Sequence, residues 1–284
     1  MASILVVNDI PGTGQVAGLT NLAVLNAAGY EVTLLPTVYL THHTGRWPVY
    51  RESLDAAFSA SLMAWRQVKF QAIVTGYFGN ASQIHQFVNW YKHYQSDTFL
   101  VVDPIMGDRG QLYTGLNQDY VVAMQELVAL ADYALPNLTE AYLLTGLDAE
   151  LVKRQEDKQA LKTLINLEST QKSWVITGIE ANDQIGVAFG SNQEAWTQRQ
   201  NRHLFGTGDF FTSCFLACQV SGLSLEATCQ WCVDLVGRAV ENQGLNQAIA
   251  RQELYYQPYL PFISKILRKE DSLWIKQRQP FTVA

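Results

Sequence analysis

Apolar residues in this chain fall into short unbroken runs separated by stretches with helical spacing. Ser3-Ile-Leu-Val-Val-Asn8, Ala72–Thr75 and Phe99–Val102 are continuously apolar and rich in β-branched residues, the pattern of strands buried on both faces of a parallel sheet. The turn Asp9-Ile-Pro-Gly12-Thr-Gly14 is followed by Val16, Leu19, Leu22, Ala23 and Asn26 at helical steps up to Gly29. Glu31–Leu35 then reads as the next strand, so the opening predicts a β-α-β unit with a right-handed crossover. Helices are expected from Ser53 to about Val68 and from Ile84 to Tyr94, and a fifth short strand at Tyr133-Ala-Leu-Pro-Asn137. Ser173–Gly178 and Ile185–Phe189 continue the sheet. The rhythm predicts an α/β fold in one domain over 1–284, with a core of about 3–242 and an aromatic tail from about Gly244 that packs on the core or on a second subunit.

Composition narrows the choice of partners. The 284 residues are 48% hydrophobic, enough for a substantial core, and 20 Lys and Arg against 26 Asp and Glu give a net charge of −6. That balance argues against a nucleic-acid partner, and it means that a phosphorylated ligand must be held by local groups. Cys214, Cys218, Cys229 and Cys232 raise the question of a metal or disulfide cluster. Only Cys229-Gln-Trp-Cys232 has ligand-like spacing, while Cys214 and Cys218 lie in a helical apolar run where a buried small hydrophobe is the commoner role. With no apolar run near 18 residues and a start that leads directly into a strand, the expectation is a cytoplasmic protein with reduced thiols and no membrane contact.

The unusual turns stand where predicted strands end. In an open parallel sheet, ligands bind beyond the carboxyl ends of the strands. Phe205-Gly206-Thr207-Gly208-Asp209 is a glycine turn running into a helix, where free N–H groups and the helix dipole favour an anion; a simple helix cap is the alternative. Asp103 and Asp108 flank Pro-Ile-Met-Gly after the fourth run, and such carboxylates either recruit Mg²⁺ or cap the turn. Asn137-Leu-Thr-Glu140 is a capping box or a pair serving the same cation. Residues 36–52, with His42 and His43, form a long irregular loop that reads as a ligand contact in preference to a metal site.

Gly76-Tyr-Phe-Gly79, Val102-Asp-Pro-Ile-Met-Gly-Asp108, Pro136-Asn-Leu-Thr-Glu140 and Gly206-Thr-Gly-Asp209 occur in this order, with Asn8-Asp9 and His43-Thr44-Gly45 before them. Over roughly residues 3–242 this set resembles the pyridoxal/pyridoxamine kinases of the ribokinase-like superfamily. The resemblance implies a central, mostly parallel sheet with helices on both faces and ATP-dependent phosphorylation of the 5′-hydroxymethyl group of a vitamin B6 vitamer. By the same resemblance Asp209 would be the general base, and Gly206, Thr207 and Gly208 would stabilise the transferred phosphoryl group. Asp103, Asp108, Asn137 and Glu140 would place Mg²⁺ and the ATP phosphates, with Asp103, Asp108 and Glu140 as the metal set. Thr177 and Gly178, with side chains near Leu235 to Ala239, would lie along the nucleotide. Asp9, Thr44 and Tyr77 would line the ring pocket, with Val16, Val38 and Trp47 as further walls. K⁺ stands open as a further cofactor, and a homodimer is expected.

Relatives that act on the pyrimidine precursor of thiamine often carry Cys in place of Asp209, so the aspartate favours a B6 substrate. Asp9 departs from the serine that some pyridoxal kinases present to the ring, which leaves the ring-nitrogen contact and the preferred vitamer open. Two other readings are a kinase for hydroxymethylpyrimidine or another small alcohol, and a vitamer-binding protein without turnover. A nicotinamide oxidoreductase fails because Ala17 stands where the third fingerprint glycine is needed.

Overall fold

Residues 3–43, 48–146, 173–190, 193–242 and 252–267 are described in the structure, a computed structural model. The strands are β1 (Ser3–Pro11), β2 (Glu31–Leu40), β3 (Arg51–Ser53), β4 (Ala72–Thr75), β5 (Phe99–Val102), β6 (Gly107–Asp108), β7 (Gln111–Leu112), β8 (Tyr133–Ala134), β9 (Ser173–Ala181), β10 (Gln184–Phe189) and β11 (Gln193–Gln198). The helices are α1 (Ala17–Ala27), α2 (Asp55–Ala64), α3 (Ala81–Tyr94), α4 (Gln118–Val128), α5 (Leu138–Thr145), α6 (Thr207–Val220), α7 (Leu225–Glu241) and α8 (Leu260–Leu267). Nine strands form one sheet in the order β11-β10-β9-β8-β5-β4-β1-β2-β3. Strands β9 through β2 in that order run parallel, and β10, β11 and β3 add antiparallel edges.

The unbroken apolar runs follow from burial on both faces. Along β1, Leu5 and Val7 join a core under α2, α3, α4 and α5, whereas Ile4 and Val6 join a second core under α1, α6 and α7. β5 divides in the same way, with Leu100 and Val102 on one side and Val101 on the other. A polar residue on either face would sit in a core, so the sequence carries no alternation. All four cysteines are free thiols in the second core, the small-hydrophobe role. Leu254, Tyr256, Tyr259 and Ile263 belong to that core too, with Tyr256 stacked on Phe210 at 5.2 Å, so the described part of the tail packs on the domain that bears the motifs; Trp274 lies outside the described residues.

Several boundaries differ from the sequence reading. β1 runs on through Asp9 and Ile10 to Pro11, and β2 runs through Pro36 to Leu40, so the first part of the expected loop is strand. Between Asn8/Pro36 and Ile10/Tyr39 the β1–β2 register slips, with Thr37 and Val38 opposite Asp9 alone. Pro36 has no N–H to give the ladder, and the irregularity begins there. β3 pairs with Val38–Leu40 and closes the other end of that segment into a hairpin-like edge. The expected strand at 133–137 contracts to Tyr133–Ala134, followed by an isolated bridge from Asn137 to Thr177. α4, α7 and β11 complete the layers. Among the described residues no helix is long and apolar enough to cross a membrane.

Candidate active site

Parallel pairing brings the strand ends to one level: Val7 lies opposite Thr75, Thr75 opposite Val102, and Val102 opposite Ala134. The next residues outward are therefore Asn8, Gly76, Asp103 and Leu135, and the crevice lies just beyond them.

α6 delivers Asp209. Gly206 is the N-cap, with φ +86°, and a Cβ there would meet Val16 Cγ1 at 3.0 Å and the Gln15 carbonyl at 3.1 Å. Both the left-handed backbone and the close approach require glycine. Gly208 lies in the helix with open space around its Cβ position, so of the two glycines only Gly206 uses the special conformation. Asp209 stands in the first turn, with the Ala17 backbone N–H and the Asn8 side chain near its carboxylate. The sequence leaves open whether burial or helix N-termini win at this carboxyl. Burial wins: its pKa is raised, although the Ala17 N–H and the Asn8 amide beside it pull the other way.

Three more carboxyls crowd the crevice. Asp9, 7% exposed, is raised to about 7 by burial and by the charge of Asp209. Asp103, 9% exposed, is raised to about 7 by burial and then by Asp209, against a hydrogen bond donated by Thr212 Oγ1 to its Oδ2 at 2.8 Å. Glu140 is buried and held well above the ordinary carboxylate range by burial and by Asp103. Its carboxylate also completes a full capping box, accepting the Asn137 N–H at 2.9 Å while Asn137 Oδ1 accepts the Glu140 N–H at 3.0 Å. It accepts the Met106 N–H at 3.2 Å as well, which ties α5 to the loop after β5. Asn137 Nδ2 donates to the Gly107 carbonyl at 2.9 Å.

Asp108 stands apart. It is exposed on β6, accepts the Arg109 N–H at 2.8 Å and pairs with the Arg109 guanidinium at 3.8 Å. Among the described residues no group of three or more His, Cys, Asp and Glu side chains is set to hold a metal ion, so Asp103, Asp108 and Glu140 do not form a direct three-ligand cage. Asp103 and Glu140, two neighbouring buried carboxyls, do suit a hard cation that keeps most of its waters, as Mg²⁺ does.

Across the crevice, Tyr77 is half-buried and stacks on Tyr120 with ring centroids 6.5 Å apart. Its carbonyl accepts from Thr37 Oγ1 at 2.7 Å, and its N–H donates to Asn8 Oδ1 at 2.9 Å. Val38 is fully buried, within 2.8 Å of the Cβ position of Gly79, and Val16 is buried at the N-cap of α1. Thr44 and Trp47 lie outside the described residues. His43 is buried with its Nε2 3.4 Å from Glu253 Oε1, and its ring lies 4.4 Å from that of Phe205, next to the glycine turn. Thr177 and Gly178 stand opposite Val187 alone in a β-bulge, and Gly178 has φ +68° with open space above it.

Sequence reading passed over Asn8's side chain, Asn21, Thr212 and Glu253. Glu253 is bound to the Gln15 N–H at 3.1 Å across 238 positions, and nothing local marks such a contact.

The family model for phosphomethylpyrimidine kinase matches residues 12–251. The chain is 30% identical over 130 residues to a candidate pyridoxal kinase of Schizosaccharomyces pombe, covering 43% of this chain and 41% of that protein. It superposes on the crystal structure of pyridoxal kinase from Lactobacillus plantarum with a TM-score of 0.83 at 30% identity, covering 96% of this chain and 99% of that one. A candidate phosphomethylpyrimidine kinase from Bacteroides thetaiotaomicron, crystallised with pyridoxal, gives 0.85 at 26% identity, covering 92% and 95%. With the strand-end crevice and the glycine turn in place, these matches show that the chain belongs to the phosphomethylpyrimidine kinase family and has the ribokinase-like fold of the pyridoxal kinases.

Proposed function

We propose that this protein transfers the γ-phosphoryl group of ATP to the 5′-hydroxymethyl group of a vitamin B6 vitamer. The observation that carries the reading is the placement of Asp209. Its carboxylate stands at the N-terminus of α6 beyond the Gly206 turn, within electrostatic reach of Asp103 on one side and Asp9 on the other. The relatives named as pyridoxal kinases, and the similar chain crystallised with pyridoxal, support a vitamer as the acceptor.

In this reading the alcohol lies between Asp209 and the phosphoryl group. Asp209 takes its proton, and its raised pKa brings it nearer to the range in which a carboxylate is an effective base. The N–H groups of Thr207 and Gly208 at the start of α6 point at the charge on the transferred phosphoryl, where preorganised donors contribute most. Asp103 and Glu140 would hold Mg²⁺, with Asp108 at the rim of the same site. The ion bound there supplies charge neutralisation to the phosphates. Asn137, Thr177 and the open backbone of Gly178 lie along the nucleotide. Asp9, Tyr77, Val16 and Val38, together with Thr44 and Trp47, enclose the ring. The whole chain acts as one kinase domain and works as a homodimer in the cytoplasm.

A panel of pyridoxal, pyridoxamine, pyridoxine and hydroxymethylpyrimidine with ATP and Mg²⁺, read as phosphorylated product by mass, tests the assignment. Faster turnover of at least one B6 vitamer than of the pyrimidine is expected, and sole use of the pyrimidine would reassign the substrate. K⁺ omission in the same assay settles whether a monovalent cation is needed.

A further inference from the structure

A chain of buried amides runs from the substrate side of the crevice to the base, and nothing in the kinase chemistry above calls on it. Asn8, at the end of β1, is 2% exposed. Its Oδ1 accepts two backbone N–H groups, that of Asp9 at 3.0 Å and that of Tyr77 at 2.9 Å. Backbone N–H groups can only donate, so the amide has one possible orientation and Nδ2 must face the other way. There it donates to Asn21 Oδ1 at 2.9 Å and stands near enough to the Asp209 carboxylate to stabilise its charge.

The same logic fixes Asn21, which sits on α1 one turn beyond Ala17 and is 2% exposed. Its Oδ1 is taken by Asn8, so its Nδ2 faces Ser213 Oγ at 2.7 Å, with the Asp209 carbonyl at 3.5 Å. Ser213, fully buried one turn along α6, passes its single hydroxyl proton to the Asp209 carbonyl at 2.7 Å. Gly76 makes the room: a Cβ there would come within 2.6 Å of the Asn8 amide. Every proton in the series thus has one direction, and the series ends on the Asp209 backbone carbonyl while Asn8 stands beside the Asp209 carboxylate.

We infer that Asn8, Asn21 and Ser213 are positioning residues that hold the Asp209 carboxylate at the attack geometry and lock it in register with Asp9 and Tyr77. Satisfied buried networks specify one arrangement, because any other leaves polar groups unpaired in low dielectric. The inference rests on Asp209 acting as the base. None of the three residues needs to touch a substrate to have its effect.

A double-mutant cycle tests this. Asn21→Ala removes the bridge without touching Asn8's two backbone bonds. It is expected to lower kcat about 10- to 100-fold, the usual cost of a misplacement near 1 Å, with both KM values within about 3-fold of the parent. On an Asp209→Asn background the same substitution should cost nothing further in kcat, since the group it positions is gone. Ser213→Ala, a smaller change, is the second variant if Asn21→Ala does not fold, with a kcat loss of about 3- to 10-fold that likewise vanishes on the Asp209→Asn background. An undiminished loss on that background, a loss confined to KM, or parental kcat in both single variants overturns the network's role. If Asp209→Asn alone turns over normally, the reading of Asp209 as base has failed, and the two failures are thereby told apart.

Discussion

The backbone N–H of Ala17 lies near enough to the Asp209 carboxylate to lower its pKa, and Ala17 presents that N–H from a left-handed conformation with φ +52°. A residue with a Cβ pays about 1–2 kcal/mol to stand there. The strain lies where α1 and α6 both begin, so two helix N-termini converge on one carboxylate. Removing the charge while keeping the shape, Asp209→Asn, is expected to lower kcat by about 10²- to 10⁴-fold and to leave the Kd for ATP within a few-fold. Rapid-quench and nucleotide-binding measurements on the same preparation check both halves. Ala17→Gly should leave Tm level or raise it, because relief of the left-handed strain offsets the roughly 0.5–1 kcal/mol that glycine costs in an ordinary helix.

Asp9 also shapes the response to pH. Its pKa in the folded chain is about 7, against the ordinary 3.8, with burial the larger cause and Asp209 the second. The folded state therefore keeps a proton between those two values that the unfolded chain releases. The stabilisation is complete below about 4 and is lost as pH rises through about 7, at about 1.4 kcal/mol for each pH unit between the two pKa values. Asp9→Asn removes this contribution and leaves the rest of the protein's titration in place. The Tm of the variant minus that of the parent should grow from pH 5 to pH 8 in the absence of ligands, by roughly 2–4 °C per kcal/mol. A constant difference across that range would mean that Asp9 ionises normally.

Gly206 and Gly178 both have positive φ, yet their surroundings differ. At Gly206 a Cβ meets Val16 and the Gln15 carbonyl, so Gly206→Ala combines backbone strain of about 1–2 kcal/mol with a displaced β1–α1 turn. Stability and kcat should both fall, the latter because Ala17 and Asp209 move together. At Gly178 nothing lies within 4 Å, so Gly178→Ala costs the backbone term alone and places a methyl group over the nucleotide side. Its KM for ATP should rise while kcat stays near the parent. Thermal melts with steady-state kinetics separate the two.

The chain's own pattern reveals the layered sheet because burial on both faces leaves short unbroken apolar runs, whose length and β-branched content set them apart from buried helices. It also marks the helix start at Gly206–Asp209, where a plain cap and an anion site look alike in the local sequence. It reveals the company of strand-end turns by their order. What stays hidden is the support. Asn21 looks like a polar position on an amphipathic helix, and its partner Ser213 is 192 residues away. Pro36 reads as the end of a strand, yet β2 tolerates it through a register slip next to Asp9. Glu140 completes the capping box, and its burial beside Asp103, which raises its pKa, is invisible in the sequence.

Asp9 stands close enough to Asp209 and Tyr77 for its charge to act on both, and its own backbone N–H is taken by Asn8 Oδ1 at 3.0 Å. That leaves capacity for a donor on the substrate ring. A ring N–H or phenolic O–H bonded to a carboxylate is worth about 1.5–3 kcal/mol, which corresponds to roughly 10- to 150-fold in binding. Asp9→Asn keeps the side chain's shape and weakens that bond. KM for the vitamer should rise about 10-fold or more, with KM for ATP unchanged and kcat lowered only a few-fold, because Asp9 orients the ring and does not move the proton. Asp9→Ser restores the residue that some pyridoxal kinases present at this position and should recover part of the loss if the ring offers a hydroxyl. Comparing KM values for pyridoxal and pyridoxamine in all three proteins shows whether the carboxylate also reads the amine, and an unchanged KM for every vitamer would place the ring elsewhere in the crevice.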